Sequence, residues 1–259
     1  SNGIGYEVII QALADPRILD QFTPVIYGSS KLFGFYRKTI PEVEQMDTNA
    51  INSASEAHAK RVNIVNCLPE NTFAEPGQAT AESAKSAIKS LEVAMKELRE
   101  GKIDVLVTGP INKKAMSNEG FGFPGHTEFI QNYFGVKDVA MVMVSHRLKL
   151  AVGTGHIPLK DVPAQITEDK MLSKLRLLND SLKQDFVVDQ PRIAVLSLNP
   201  HSGDGGLLGN EEQDIIIPAI KRATEEGILA FGPFSPDGYF GLSHYENFDA
   251  TLAMYHDQG

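Results

Sequence analysis

The 259-residue chain has a single cysteine and no apolar run long enough to span a membrane, and each scarcity excludes a class of protein. Cys67 stands alone, which excludes an internal disulfide framework and a cysteine-based zinc site. No stretch approaches the roughly 20 apolar residues of a membrane span. A signal peptide requires a basic segment before its apolar region, and no basic segment precedes the first apolar residues here. We therefore expect a soluble, cytoplasmic protein.

Positive charge is also scarce. The chain has 24 Lys and Arg residues against 33 Asp and Glu residues, so its formal net charge is −9. This balance disfavours binding to nucleic acid or to an anionic membrane surface. An anionic substrate would need a local cluster of basic side chains or a metal ion. The P-loop, EF-hand and Ser-His-Asp patterns are missing as well, so neither a nucleotide triphosphatase nor a serine hydrolase is indicated.

Short apolar runs alternate with longer amphipathic ones along the chain. The runs rich in Val, Ile and Leu predict strands at 24–28, 61–66, 103–109, 139–145, 148–155, 192–199 and 250–255. The clearest helix is predicted at 80–100, with Thr80 as N-cap and Gly101 after its end, because its apolar residues recur every three or four positions. Further helices are expected at about 167–182 and 210–226. Such alternation predicts mostly parallel sheets with helices on both faces.

Three histidines follow predicted strands. His156 comes after 148–155, His201 after 192–199 and His256 after 250–255. Ligands of such folds bind beyond the carboxyl ends of the strands, and three neutral imidazoles with an open fourth position are typical of a catalytic metal site. The alternative is that each histidine only caps nearby carbonyl groups.

A glycine-rich loop, "PHSGDGGLLGNEEQD", follows the strand at 192–199. It contains a G-x-G sequence before a helix, but the third glycine, Gly209, comes one position too late for a dinucleotide-binding fingerprint. Glu211, Glu212 and Asp214 at the helix start would also repel a pyrophosphate. We therefore reject this loop as a nucleotide site and expect its glycines to let the backbone pass close to a metal ion or substrate.

Two other stretches carry candidate binding residues. In "TGPINKKAM", backbone amides near Gly109 together with Lys113 and Lys114 are suited to hold an anion, the alternative being an ordinary turn with solvated lysines. In "GFGFPGHTEFI", His126 and Thr127 precede a helix, where Thr127 alternatively acts only as an N-cap.

Several of these motifs together carry a family resemblance. They are "NGIGYEVI", "VTGPINK", "FPGHTEF", "TGHIPL", "LNPHSGDGG", "GNEEQD", "IPAI" and "LAMYHDQG". In this order, from the first residues to the last, they resemble the PdxA family of 4-hydroxythreonine-4-phosphate dehydrogenases. The resemblance implies a two-lobed α/β fold similar to isocitrate and isopropylmalate dehydrogenases. Under it we place the first lobe at 1–135, with 246–259 leading back to it, the second lobe at 136–245 and the active-site cleft between them.

The resemblance also implies functional residues. The family's metal ligands correspond to His156, His201 and His256, and its substrate-contacting pair corresponds to His126 and Thr127. Lys113 matches a family lysine of weakly assigned role, and no residue is assigned as the catalytic base. Asp237 and Asp257 are candidates for orienting ligands or relaying protons.

The implied chemistry is oxidation of 4-phosphohydroxy-L-threonine by NAD, with NADP as the alternative, followed by decarboxylation. A divalent ion would assist both steps. Three imidazoles favour zinc, with magnesium, manganese or cobalt as alternatives. The resemblance further implies a homodimer whose active sites draw on both chains. No nucleic acid or membrane partner is expected.

Three alternatives stay open. The first is a related dehydrogenase that acts on 4-phospho-threonate or 4-phospho-erythronate, because such enzymes would share the motifs. The second is a phosphate acyltransferase, because those enzymes have a related fold. The third is a non-catalytic, metal-binding remnant. Family members continue beyond "HDQG" and begin before "NGIG", so the resemblance implies further segments at both ends, the later one with phosphate contacts and much of the adenosine site.

Overall fold

The computed structural model describes residues 1–43 and 46–259, which divide by their contacts into two compact units, Ser1–Gly135 and Val136–Gly259. Across these residues, none of the helices combines the length and the apolar surface that crossing a bilayer demands. Residues 246–259, which we expected to lead back to the first lobe, instead belong to the second unit. The reason is that their strand is hydrogen-bonded between two others in the sheet of that unit.

The first unit is built on a small parallel sheet. Its strands are β1 (Val25–Gly28), β2 (Thr48–Ile51) and β3 (Val62–Asn66), and its α-helices are α1 (Gly5–Ala12), α2 (Ser30–Arg37), α3 (Ala81–Arg99), α4 (Lys113–Asn118) and α5 (His126–Phe134). In the described part of the chain the strand order is β1-β3-β2, and both pairings are parallel. The central strand β3 is accordingly buried along most of its length.

Helix α3 forms where its sequence pattern predicts it. The Thr80 side chain accepts a hydrogen bond from the amide of Ser83, and the Ser83 side chain accepts one from the amide of Thr80, so two otherwise unpaired donors at the helix start are satisfied. Leu91 and Met95 on the apolar stripe are buried. Gly101 follows with a φ of +69°, a conformation that favours glycine after a helix end.

The strand predicted at 103–109 is wrong. These residues have no regular secondary structure, and the side chains of Val105 and Val107 are 74% and 89% exposed. A strand needs a hydrogen-bonded neighbour, and within residues 1–43 and 46–259 the sheet of this unit consists of β1, β3 and β2. The apolar composition of 103–109 predicted that this segment is buried, but no other described residues cover its valine side chains.

The second unit is built on a larger, mixed sheet. Its strands are β4 (Val142–Val144), β5 (Lys149–Val152), β6 (Arg192–Leu196), β7 (Leu229–Phe234) and β8 (Ala250–Ala253), and its α-helices are α6 (Val162–Gln165), α7 (Glu168–Gln184), α8 (Ile217–Glu225) and α9 (Pro236–Gly241). The strand order is β4-β5-β8-β6-β7 in the part of the chain that is described. All pairings are parallel except that of β4 with β5.

Both faces of this sheet are covered, as the continuous apolar strands predict. In β6, Ile193 and Val195 pack into a core with residues of α7 and α8. Ala194 and Leu196 point to the opposite face and pack with Tyr239 of α9. Successive side chains of a strand alternate between faces, so β6 contributes to two cores, and each fully buried aliphatic side chain stabilises the fold by about 1.5–3 kcal/mol.

Candidate active-site residues

Three predicted site residues follow three neighbouring strands of the second unit. His156 follows β5, His256 follows β8 and His201 follows β6. Strand β8 lies between the other two and is parallel to both. The carboxyl ends of parallel neighbours share one edge of the sheet, so all three histidine-bearing loops leave from the same edge, where α/β proteins bind their ligands.

Two of these histidines lie together. The ring centres of His156 and His256 are 5.5 Å apart, with 37° between the ring planes. Two imidazoles that bind one zinc ion through nitrogens at about 2.0–2.1 Å have ring centres about 5 Å apart, so this pair has the spacing of shared ligands.

His201 is not grouped with this pair. Within residues 1–43 and 46–259, no three side chains of His, Cys, Asp or Glu lie close enough together to surround one ion. The donor chemistry still suits a divalent ion, because three imidazoles leave from one sheet edge. The three-histidine site therefore stays a prediction, with two of its members brought together.

Hydrogen bonds connect the three loops through the residue that follows β8. The hydroxyl and the amide of Thr154 both donate to the carbonyl oxygen of Met254, which ties the His156 loop to the end of β8. The Met254 amide donates to Oε1 of Gln258 at 2.6 Å, and Nε2 of Gln258 donates to the Ser197 carbonyl oxygen at 2.6 Å. This second bridge ties the His256 turn to the end of β6, where the His201 loop begins.

The His201 loop has an unusual backbone. His201, Ser202, Gly203, Asp204 and Gly205 are consecutive and all have φ between +45° and +79°, which makes a left-handed turn. A left-handed conformation costs a residue with a side chain roughly 1–2 kcal/mol, so the three non-glycine residues together carry about 3–6 kcal/mol. Such a conformation persists only where surrounding contacts impose it.

The buried carboxylate of Glu212 supplies such contacts. Its side chain accepts hydrogen bonds from the Leu198 and Asn199 amides at 2.8 and 2.7 Å and from the Asn199 side chain at 2.9 Å. A Cβ atom added at Gly203 would lie 2.8 Å from Oε2 of Glu212. The glycine-rich loop therefore packs on a carboxylate, and this supports rejecting it as a pyrophosphate site. The charge of Glu212 was visible in the sequence but this role was not, because no local pattern shows where a side chain after the loop will point.

Carboxylates also lie next to two of the histidines. Oδ1 of Asp257 is 2.8 Å from Nδ1 of His256. The Ser235 hydroxyl and the Gly238 amide donate to Asp237 and lower the pKa of its carboxyl, and nearby His201 lowers it further. Asp257 is thus placed to orient the His256 imidazole, and the roles of Asp257 and Asp237 in orienting ligands or relaying protons stay predictions.

The other two predicted site residues lie at the start of α5 in the first unit. Gly125, not Thr127, is the N-cap residue, so capping does not occupy the exposed Thr127 as the alternative proposed. The ammonium group of Lys113 lies beside this helix start, since a Cβ atom on Gly125 would be 3.9 Å from Nζ of Lys113. Burial lowers the pKa of His126 and the Lys113 charge lowers it further, which favours a neutral imidazole at neutral pH.

The segment before α4 provides part of this arrangement. The Asn112 side chain accepts a hydrogen bond from the Ala115 amide and so caps α4, which begins at Lys113. Lys113 is thus the first residue of α4, and its side chain reaches the surroundings of Gly125 at the start of α5.

Known proteins resemble the chain over most of its length. The family described as pyridoxal phosphate biosynthetic protein PdxA matches residues 20–259. A 4-hydroxythreonine-4-phosphate dehydrogenase from Bacteroides thetaiotaomicron is 46% identical over 100% of this chain and 71% of its own length. One from a Sulfurihydrogenibium species is 40% identical over 100% of this chain and 78% of its own length. The crystal structure of such a dehydrogenase from Burkholderia phymatum matches with a TM-score of 0.86 and 31% identity, over 99% of this chain and 78% of that one.

Proposed function

This chain belongs to the PdxA family of pyridoxal phosphate biosynthetic proteins, and on that premise we propose that it catalyses the NAD-dependent oxidation of 4-phosphohydroxy-L-threonine. The family and the names of its relatives make it a dehydrogenase of vitamin B6 biosynthesis. Its α/β fold class, that of isocitrate and isopropylmalate dehydrogenases, is the one expected from the sequence. The identities of the substrate, the cofactor and the metal ion are what we propose beyond this family assignment.

The proposed reaction removes hydride from the carbon of the secondary alcohol. When bound, NAD supplies the acceptor of that hydride, and the hydroxyl proton leaves separately. The resulting β-keto acid loses its carboxylate as carbon dioxide, and the enolate that remains takes up a proton at carbon to give 3-amino-2-oxopropyl phosphate. Both steps build negative charge on the same oxygen atom, so a group that stabilises this charge serves both.

One observation carries the proposal: His156, His256 and His201 follow three adjacent parallel strands at one sheet edge. We propose that these residues hold a divalent ion, zinc on ligand type, with magnesium, manganese or cobalt as alternatives. An ion held there would lower the pKa of a bound hydroxyl group and would stabilise the oxygen anion. The 5.5 Å separation of the His156 and His256 rings supports a shared ligand role for that pair.

Asp257 prepares one of these imidazoles for the role. An ionised carboxylate only accepts hydrogen bonds, so with Asp257 ionised and the ring neutral, the 2.8 Å contact with His256 puts the ring proton on Nδ1. The lone pair is then on Nε2, the nitrogen left to bind a metal ion. Carboxylates that hold ligand histidines in this way also raise the basicity of the ligand nitrogen.

His126 and Thr127 are the proposed substrate-binding residues. A neutral His126 ring has one donor and one acceptor, and the exposed Thr127 hydroxyl has both, so they suit hydroxyl and carboxylate groups. The ammonium group of Lys113 beside the start of α5 adds a local positive charge that attracts an anion to a chain with a net charge of −9. We further propose a cytoplasmic homodimer in which each site uses residues of both chains.

The test is a comparison of substrates on the purified chain with zinc and NAD. We expect formation of NADH and carbon dioxide from 4-phosphohydroxy-L-threonine, with a higher kcat/KM than for 4-phospho-threonate or 4-phospho-erythronate. Preference for a hydroxy acid would transfer the assignment to that substrate. Acyl transfer between phosphate and a thioester, without NADH formation, would overturn it.

The homodimer is tested by mixing inactive chains. If each active site uses residues of two chains, a mixture of His126→Ala chains and His156→Ala chains should recover part of the wild-type activity. An unrecovered mixture, with both variants folded, would show that one chain supplies both residues.

A further inference from the structure

Glu212 is among the most buried ionisable side chains in the described part of the second unit, at 1% exposure, although it lies in a loop-to-helix junction rather than in the sheet. Both carboxylate oxygens have partners on the strand end that precedes His201. Oε1 accepts from the amides of Leu198 and Asn199, and Oε2 accepts from the side chain of Asn199. A buried charge needs such hydrogen bonds, and here they all hold one short segment.

The other side of the same carboxylate contacts the left-handed turn. Gly203 has φ +79° and faces Oε2 of Glu212, with only 2.8 Å available for a Cβ atom. The carboxylate of Glu212 thus holds the chain just before His201, at Leu198 and Asn199, and lies against the turn two residues after it, at Gly203. The backbone that carries His201 therefore packs on this carboxylate on both sides of the histidine.

We propose that Glu212 is a positioning residue for His201. It contacts neither ion nor substrate; through the backbone of 198–203 it holds the His201 imidazole at the carboxyl edge of the sheet, so that affinity for the metal ion depends on it. This inference rests on the proposed three-histidine site. Glu212 is not one of the three metal ligands, and it affects metal affinity only through His201.

The experiment measures zinc affinity of the full chain by competition with a chelator, together with the visible absorption spectrum of the cobalt-substituted protein. Glu212→Gln keeps the size of the side chain but removes the charge and turns one acceptor into a donor. We expect zinc affinity to fall about 10- to 100-fold, as for other groups that orient ligands, with a changed cobalt spectrum. Asp214→Asn is the matched control, because it removes an exposed carboxylate from the same helical segment; zinc affinity should not change.

A double-mutant cycle with His201→Ala separates positioning from general support of the fold. In the His201→Ala background, Glu212→Gln should weaken zinc binding no further, because its effect passes through the missing imidazole. An equal loss in both backgrounds would overturn the inference. Should Glu212→Gln fail to fold, Glu212→Asp takes its place in the same cycle, since it keeps the charge but is too short to reach all its partners.

The outcomes distinguish this inference from the proposed function. A wild-type chain that binds no divalent ion would overturn the metal site and the inference with it. Zinc binding in the wild type that Glu212→Gln leaves unchanged would overturn the inference alone.

Discussion

Two glycines of the left-handed turn allow the effect of the contact with Glu212 on stability to be separated from the conformational cost of the turn itself. Gly203 and Gly205 have φ +79° and +65°, so alanine pays a similar conformational cost at either position, about 1–2 kcal/mol. The surroundings differ. A Cβ atom at Gly205 meets nothing within 4 Å, whereas one at Gly203 lies 2.7 Å from the Gly209 carbonyl oxygen and 2.8 Å from Oε2 of Glu212.

The Glu212 carboxylate is not free to withdraw from Gly203, because hydrogen bonds hold it on the strand end. Overpacking of this kind typically costs a further 1–3 kcal/mol. We expect Gly205→Ala to lower the free energy of unfolding by about 1–2 kcal/mol and Gly203→Ala by about 2–5 kcal/mol.

The assay is urea unfolding followed by circular dichroism, with the transition midpoint compared at an unchanged denaturant slope. Zinc affinity of the folded variants is measured in parallel, and Gly203→Ala should reduce it more than Gly205→Ala. Equal losses of stability for the two variants would refute the argument, because the contact with Glu212 would then contribute nothing.

Substitutions at Glu97, Lys113 and Asp257 give three further predictions. Glu97→Ala should cost about 3 kcal/mol, because the buried carboxylate accepts several hydrogen bonds, while Glu92→Ala on the exposed face of the same helix should stay within about 0.5 kcal/mol. Burial raises the pKa of Glu97, but its hydrogen bonds lower it more, so its stabilising effect should be present above the usual value of 4.5 and fade as the pH falls through the lowered pKa. By NMR titration, Lys113→Met should raise the pKa of His126 yet leave it below 6.5, since burial persists. Asp257→Asn should weaken zinc binding at least tenfold, measured by chelator competition.

Contrary results would identify the faulty step in each case. A loss of stability in Glu97→Ala that does not shrink below pH 4.5 would contradict the lowered pKa of that carboxyl. An unchanged His126 pKa in Lys113→Met would show that the ammonium charge does not reach the ring. Unchanged zinc affinity in Asp257→Asn would remove the argument for the His256 tautomer.

Periodic apolar patterns predicted the structure well where one element carries its own signal. The helix expected at 80–100 forms at Ala81–Arg99 with the expected cap, because the stripe of apolar residues and the capping pair lie within one local segment. The helix expected at 167–182 forms at Glu168–Gln184, where the Thr167 side chain caps the start by accepting a hydrogen bond from the Lys170 amide. That expected at 210–226 begins with a π-helical turn at Glu212–Ile216 and ends before Gly227, whose φ is +83°.

Strands were harder, because they depend on partners distant in the chain. β2 (Thr48–Ile51) was not predicted, since only two of its four residues are apolar and it lies at a sheet edge. β7 (Leu229–Phe234) was missed because Gly232 and Pro233 interrupt its apolar run. The segment 103–109 shows the opposite error, an apolar run without a strand partner among the described residues.

Some features of the candidate site could be predicted from the sequence and others could not. Histidines after apolar runs were visible in the sequence, and topology brings the three runs to one edge of the sheet. The left-handed turn at His201 was not predictable, because Ser202 and Asp204 adopt a conformation that residues with side chains rarely take. Nor was the bridge from Gln258 to Ser197, which depends on how β8 is placed beside β6.

Metal content is the most direct test of the central claim, that the loops after β5, β8 and β6 hold one divalent ion. Elemental analysis of the zinc-loaded, desalted protein should find about one ion per chain in the wild type, as expected for a site of three protein ligands. His156→Ala, His201→Ala and His256→Ala should each lose most of that ion, whereas His146→Ala, which removes an exposed histidine of the same unit, should keep it. A wild-type chain without bound metal, or full occupancy in any of the three ligand variants, would contradict the account.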